Sequence, residues 1–139
     1  MTLSIRNQFA GTVSGVTTGE AMTAVKVRLD GGQDITAAVT SAAVKDLGLF
    51  PGSSVKALVK ATEIALATAP VTGISIRNQI AGRVTAVSAG GAMAAVAVDV
   101  DGGRLTAVVT KDAVEALGLD AGSPVVALIK STEVSLSTD

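Results

Sequence analysis

The chain contains no cysteine, histidine, tryptophan or tyrosine. Without cysteine there are no disulfides and no thiolate chemistry, and without histidine the common zinc sites and imidazole acid-base catalysis are excluded too. Most enzyme classes lose their usual reagents, and no nucleophile-base pair is evident among the residues that remain. Aromatic residues are 1% of the chain, Phe9 and Phe50, which removes the stacking platforms of nucleic-acid binders. An excess of either charge is missing as well: the formal net charge is -1 and the pI near 5.3, unlike a surface built to hold phosphate backbones. No apolar run approaches the roughly 20 residues that span a bilayer. Nor does the amino terminus show the basic-then-apolar layout of a signal peptide. The expectation is a soluble cytoplasmic protein with no nucleic-acid and no membrane partner.

What is present is a duplication. Ser-Ile-Arg-Asn-Gln occurs at Ser4 to Gln8 and again at Ser75 to Gln79, an offset of 71 that persists through Asp30-Gly31-Gly32 and Asp101-Gly102-Gly103. After one deletion the offset is 70, so Leu47-Gly48-Leu49 matches Leu117-Gly118-Leu119 and Lys60-x-Thr62-Glu63 matches Lys130-x-Thr132-Glu133. The chain therefore divides into residues 1–67, a linker at 68–73 carrying Thr68, Pro70, Thr72 and Gly73, and residues 74–139. Units of about 65 residues sit near the lower limit for a self-sufficient core. Apolar residues are 48% of the chain and mean hydropathy is +0.55, with burial left to Val, Ile, Leu and Ala. Such units are expected to pack on each other and on other chains.

Within each unit, Val25-x-Val27-x-Leu29 alternates up to the Asp-Gly-Gly turn and Ile35 to Val39 resumes an extended run, which predicts a hairpin. Val96-x-Val98-x-Val100 and Leu105 to Val109 repeat it. Thr40 to Gly48 changes to helical spacing, with Thr40 or Ser41 as cap and Gly48 as a left-handed stop, and Thr110 to Gly118 does the same. Val55 to Lys60 and Ile64 to Leu66 predict a strand bent near Ala61-Thr62, with Val125 to Lys130 and Val134 to Leu136 as counterparts. About five short strands and one short helix per unit close economically as a small barrel, which removes exposed edges. The fold class is mainly β: two tandem OB-like barrels.

Several features have plain readings. No Gly-Lys-Ser/Thr follows the Asp-Gly-Gly segments, so they are hairpin turns rather than phosphate cradles. Asp30 with Asp34, and Asp99 with Asp101, lack calcium-loop spacing and are turn or surface residues. Met22 and Met93, each just before a strand, are expected as core fillers.

Both copies retain a set of donors: Ser4, Arg6, Asn7, Gln8, Lys60 and Thr62 in the first, Ser75, Arg77, Asn78, Gln79, Lys130 and Thr132 in the second. All donate hydrogen bonds and two per set are cationic. A tetrahedral oxyanion is an acceptor-only dianion whose site needs NH, OH and a few positive charges, and this inventory fits. The same residues also fit a structural role. Arg6 and Arg77 suit ion pairs with Glu63 and Glu133, Asn7 and Asn78 suit a β-bulge, and Lys60 and Lys130 suit the solubilising ends of apolar strands. Residue types alone leave both open.

Ser-x-Arg-Asn-Gln with Gly11 or Gly82, the Thr-Ala-x-Val-Thr runs ending at Thr40 and Thr110, the Leu-Gly-Leu helix ends, and Ala-Leu-Val/Ile-Lys-Ala/Ser-Thr-Glu at Ala57 to Glu63 and Ala127 to Glu133 cover both units nearly end to end. In this combination the chain resembles the molbindins, molybdate-binding proteins built from Mop, or TOBE-like, domains. The resemblance implies an OB-like barrel per unit, a homo-oligomer, expected as a trimer, and molybdate as ligand with tungstate also accepted. It implies intracellular molybdenum storage, buffering or homeostasis without catalysis. Carried over by position, it sets Ser4, Arg6, Lys60 and Ala61, and Ser75, Arg77, Lys130 and Ser131, around the anion, with Asn7 and Asn78 close by. Ala21, Thr40, Ala92 and Thr110 are implied as contributions from a neighbouring domain. Ala61 offers only its backbone NH where Ser131 adds a hydroxyl, so the two sites are expected to be unequal. The alternatives are an OB-type nucleic-acid binder, which needs a basic aromatic face, and a structural accessory domain of a molybdate transporter or regulator.

Overall fold

A computed structural model describes residues 3–138. The first unit runs β1 (Asn7–Thr18), β2 (Met22–Leu29), β3 (Asp34–Thr40), α1 (Ser41–Leu47), β4 (Ser54–Val59), a 3-10 turn (Ala61–Glu63) and β5 (Ile64–Ala67). The second repeats it as β6 (Asn78–Ala89), β7 (Met93–Val100), β8 (Gly103–Thr110), α2 (Lys111–Leu117), β9 (Pro124–Ile129), a 3-10 turn (Ser131–Glu133) and β10 (Ser135–Ser137). Alternation dictates the strands. In β2 every second residue is buried, placing Thr23, Val25, Val27 and Leu29 inside. Each helix begins where the sequence analysis put it: Thr40 Oγ1 accepts from the Ala43 amide and Thr110 Oγ1 from that of Ala113, both at 3.1 Å. Gly48 and Gly118 end them at φ 63°, a left-handed conformation open to glycine at little cost.

Long β1 serves two neighbours, pairing with β4 over Asn7–Thr12 and with β2 over Gly11–Thr18. A register shift between Val13 and Gly15 bulges it at Ser14, and β6 is bulged between Val84 and Ala86. These bulges curl the sheets. They lie well along the strands, away from Asn7 and Asn78.

The closing of each unit's sheet differs from expectation. Strand order is β10-β4-β1-β2-β3 in one sheet and β5-β9-β6-β7-β8 in the other. Each unit therefore gives its last strand to the other unit's sheet instead of closing its own. The bend expected near Ala61-Thr62 is a crossover: the 3-10 turn carries the chain away from β4, and Ile64 settles opposite Ile129 at the second sheet's edge. With β5 and β6 flanking β9, the linker has only to pass one strand, about 10 Å at ordinary strand spacing. Units along the chain and sheets in space do not coincide.

The interiors join in a single aliphatic cluster that includes Val27, Ile35, Val59 and Ile64 with Val98, Leu105, Ile129 and Val134. At the junction the Asp-Gly-Gly turns meet. A Cβ on Gly31 would lie 2.1 Å from the Asp101 carbonyl oxygen, so only glycine permits this approach. Gln33, which has no counterpart in the shorter second turn, donates from Nε2 to the Asp101 carbonyl at 2.8 Å. The acidic residues near the turns are surface residues, as expected, and two are paired: Arg28 with Asp34, and Arg104 with Asp99 at 3.0 Å, one cross-strand position with the charges reversed. Met22 and Met93 are not core fillers. They are 47% and 46% exposed, because each opens its strand on the outward face.

Candidate functional site

The candidate residues gather at the two crossovers. β4 is buried from Ala57 to Val59 and β9 from Val125 to Ile129, and both become exposed at Lys60 and Lys130, where the ladder with β1 or β6 ends. The 3-10 turn follows at once. Glu63 N donates to Lys60 O and Glu133 N to Lys130 O, each at 3.0 Å, and no side chain caps either turn. The amides of Ala61 and Thr62, and of Ser131 and Thr132, precede that first bond. Uncapped amides beside a lysine form a concentrated patch of positive potential.

The opening motif enters from the strand side. Ser4, Arg6, Ser75 and Arg77 are exposed on the segments leading into β1 and β6. In the second unit Ser75, Lys130 and Ser131 line one cavity of about 250 Å³ together with Ile76 and Thr132. Arg77 stands beside this cavity in sequence but is not part of its lining. Among the described residues, Arg6, Arg77, Lys60 and Lys130 take part in no ion pair and no side-chain hydrogen bond. The pairing of Arg6 and Arg77 with Glu63 and Glu133 is thus not found.

Asn7 and Asn78 are committed elsewhere. Both are buried, at 2% and 3% exposure. Asn7 donates from Nδ2 to Thr106 O at 2.9 Å and accepts from Thr106 N at 2.8 Å, while Asn78 makes the same pair with Thr36, both at 2.8 Å. Each carboxamide imitates a peptide group and adds a rung to the other unit's β3 or β8. Asn78 Nδ2 also donates to Ser131 Oγ at 3.5 Å, a long contact that leaves the serine proton free to point into the cavity. Ala61 has no hydroxyl for Asn7 to orient, so the two crossovers differ in one donor.

Thr40 and Ala21 meet at the open end of the β2–β3 hairpin, where Met22 pairs with Thr40 and Ser41 N donates to Ala21 O at 2.9 Å. Thr110 and Ala92 repeat this, with Lys111 N to Ala92 O at 2.8 Å. Thr40 shares an apolar groove with Thr132, which brings it near the second crossover. Residue-type reasoning missed Thr36 and Thr106, which act through their backbones and carry no signal in sequence. Gln79, retained with its motif, clamps the linker: Val71 N donates to its Oε1 at 3.0 Å, and its Nε2 donates to Val71 O at 2.9 Å.

Each crossover thus offers hydroxyl, ammonium and uncapped amide donors, which suits a small acceptor-only anion. No cluster of three or more acidic side chains able to hold a metal cation occurs among the described residues, and no helix there is long and apolar enough to cross a membrane.

Comparison with known proteins gives a consistent assignment. The TOBE domain family matches residues 3–66 and again 74–136. The chain is 39% identical over 138 residues to the molybdenum transport protein ModE of Azotobacter vinelandii, covering 99% of this chain and 51% of the relative. It is 39% identical over 136 residues to the molybdenum-pterin-binding protein MopB of Rhodobacter capsulatus, covering 96% of this chain and 50% of the relative. The chain spans about half the length of these curated relatives. A crystal structure of the cytoplasmic molybdate-binding protein ModG with molybdate bound superposes with a TM-score of 0.96 at 37% identity, over 100% of both chains.

Proposed function

The chain belongs to the TOBE-domain family, with two such domains in tandem, and from that membership and the crossover geometry we propose that it binds molybdate. Tungstate, nearly the same in size and charge, is the second ligand. The role is molybdenum storage, buffering or homeostasis in the cytoplasm, by binding without catalysis and as a homo-oligomer, most simply a trimer. The sites are Ser4, Arg6, Lys60 and Ala61 in one repeat and Ser75, Arg77, Lys130 and Ser131 in the other, with Asn7 and Asn78 positioning them. Ala21, Thr40, Ala92 and Thr110 contribute from a neighbouring domain.

The observation that carries this reading is the pair of lysines that have no ion-pair or side-chain hydrogen-bond partner among the described residues, each followed by a turn whose first amides no side chain caps. A tetrahedral dianion satisfies those donors together, and a rigid donor set rejects the smaller sulfate by leaving hydrogen bonds unmade. A second reading, an accessory domain of a transporter or regulator, draws on the match to half of ModE and predicts stable protein partners without oxyanion dependence.

Isothermal calorimetry tests the first reading. Molybdate and tungstate should bind at more than one site per chain, and sulfate and phosphate at least about tenfold more weakly, about 1.4 kcal/mol. Ser131→Ala should cost about 0.5 to 1.5 kcal/mol at the second repeat's site only, and Lys130→Ala about 1.5 to 3 kcal/mol. Affinities untouched by both substitutions would defeat the site assignment, and equal binding of sulfate would defeat the selectivity.

A further inference from the structure

The proposed sites leave Glu63 and Glu133, the last residues of the two crossover turns, without a role. In the β5–β9 pair Ile64 stands opposite Ile129. Glu63, the end of the 3-10 turn, immediately precedes Ile64, and Lys130 immediately follows Ile129, so the two flank the end of that ladder. In the β10–β4 pair Ser135 stands opposite Leu58, and Glu133 and Lys60 each lie two residues beyond that last pair, the equivalent arrangement in the other repeat. Because the last strands are exchanged, each glutamate lies across the end of a ladder from the lysine of the other repeat. Glu63 and Lys130 line one shallow depression, whose remaining lining is apolar apart from Thr62, so no other charge intervenes. Among the described residues neither glutamate is held in an ion pair.

Long side chains on the rim of one depression, just past the end of an antiparallel pair, are within reach of each other. A carboxylate there offsets part of the lysine's field and repels an incoming dianion. We propose that Glu63 and Glu133 are affinity-setting residues of the opposite repeat's anion site: Glu63 weakens the site built on Lys130, and Glu133 the site built on Lys60. This rests on the molybdate reading and adds to it a regulation, since each repeat holds the other's affinity below what its donors alone would give and so keeps the anion releasable.

The rival is local action. Glu63 is also three residues from Lys60 in its own turn, so the experiment must separate the two lysines. In a Lys60→Ala background, where the Lys130 site remains, Glu63→Gln should tighten molybdate binding about two- to fivefold at low ionic strength, as for removal of one exposed charge, while Glu133→Gln changes nothing. In a Lys130→Ala background the two glutamates should exchange roles. The gain should fade at high salt, which a purely structural effect would not do. A gain that follows the glutamate's own repeat, or no gain in either background, overturns the proposal. Should the wild-type protein take up no molybdate, the functional reading fails by itself, and the juxtaposition is then decided on the anion-free protein. There, a double-mutant cycle in thermal unfolding should show salt-dependent coupling of Glu63 with Lys130, and coupling with Lys60 instead, or none, overturns it.

Discussion

Asn7 and Asn78 show how one side chain can hold two repeats together. Each carboxamide satisfies both backbone groups of a threonine in the other repeat, at a junction where water has little access. Asn78→Ala should therefore orphan Thr36 N and O and destabilise the fold by about 1 to 3 kcal/mol. Denaturant unfolding checks this, and a loss under about 0.5 kcal/mol, the range of ordinary surface substitutions, would contradict it. The exposed Arg28–Asp34 pair behaves otherwise. Its hydrogen bond holds the Asp34 carboxyl below, and the Arg28 guanidinium above, their ordinary values. The depressed carboxyl contributes stability that is present above the usual carboxylate range and lost as pH falls through the lowered value. Solvent screening keeps that contribution small.

At the scale of elements, the exchanged strands make each barrel depend on both ends of the chain. β10 covers the outer edge of β4, and Val134 just before it is 2% exposed. Truncation after Glu133 should raise hydrogen exchange in β4, more than 70 residues away in sequence, while β9 stays protected between β5 and β6. Deprotection of β9 in place of β4 would mean that each repeat closes its own sheet. The exchange also explains why the crossover is the natural place for a ligand. The chain must leave one ladder and join another, and between them its amides belong to neither.

Across the whole molecule, aliphatic residues remain outside that an isolated chain has no means to bury. Met22, Leu47, Met93 and Leu117 are between 37% and 47% exposed, as two equivalent pairs, one per repeat. Met22 and Leu47 line the same groove as Thr40 and Thr132, so an apolar surface borders the second crossover. Assembly over these surfaces is the expected outcome, and multi-angle light scattering should give a trimer at micromolar concentration. Met22→Glu with Met93→Glu should shift the protein toward monomer by placing charge in the interface. A wild-type monomer, or a trimer indifferent to both substitutions, would sink this prediction.

Alternation in β2 and β7, the Thr-to-Gly signature of the helices and the Asp-Gly-Gly turns are local, and they alone determined the β2–β3 and β7–β8 hairpins and the helix caps as the structure has them. The retained donors were legible for the same reason, since Ser75 and Lys130 belong to two motifs that recur in order, with Ser131 standing where the first repeat has Ala61. Which sheet receives β5 was not legible. Ile64 and Val134 occupy equivalent places in nearly equal repeats, so an apolar pattern that suits one sheet edge suits the other. The choice rests on the crossover turn and on a linker that has only β9 to pass, both properties of the assembled chain. From that choice follow the carboxamide bridges of Asn7 and Asn78, the turn-on-turn contact at Gly31, and the depression that Glu63 and Lys130 share. Each joins residues far apart in sequence through the geometry of two packed sheets, and no periodicity within one repeat encodes that geometry.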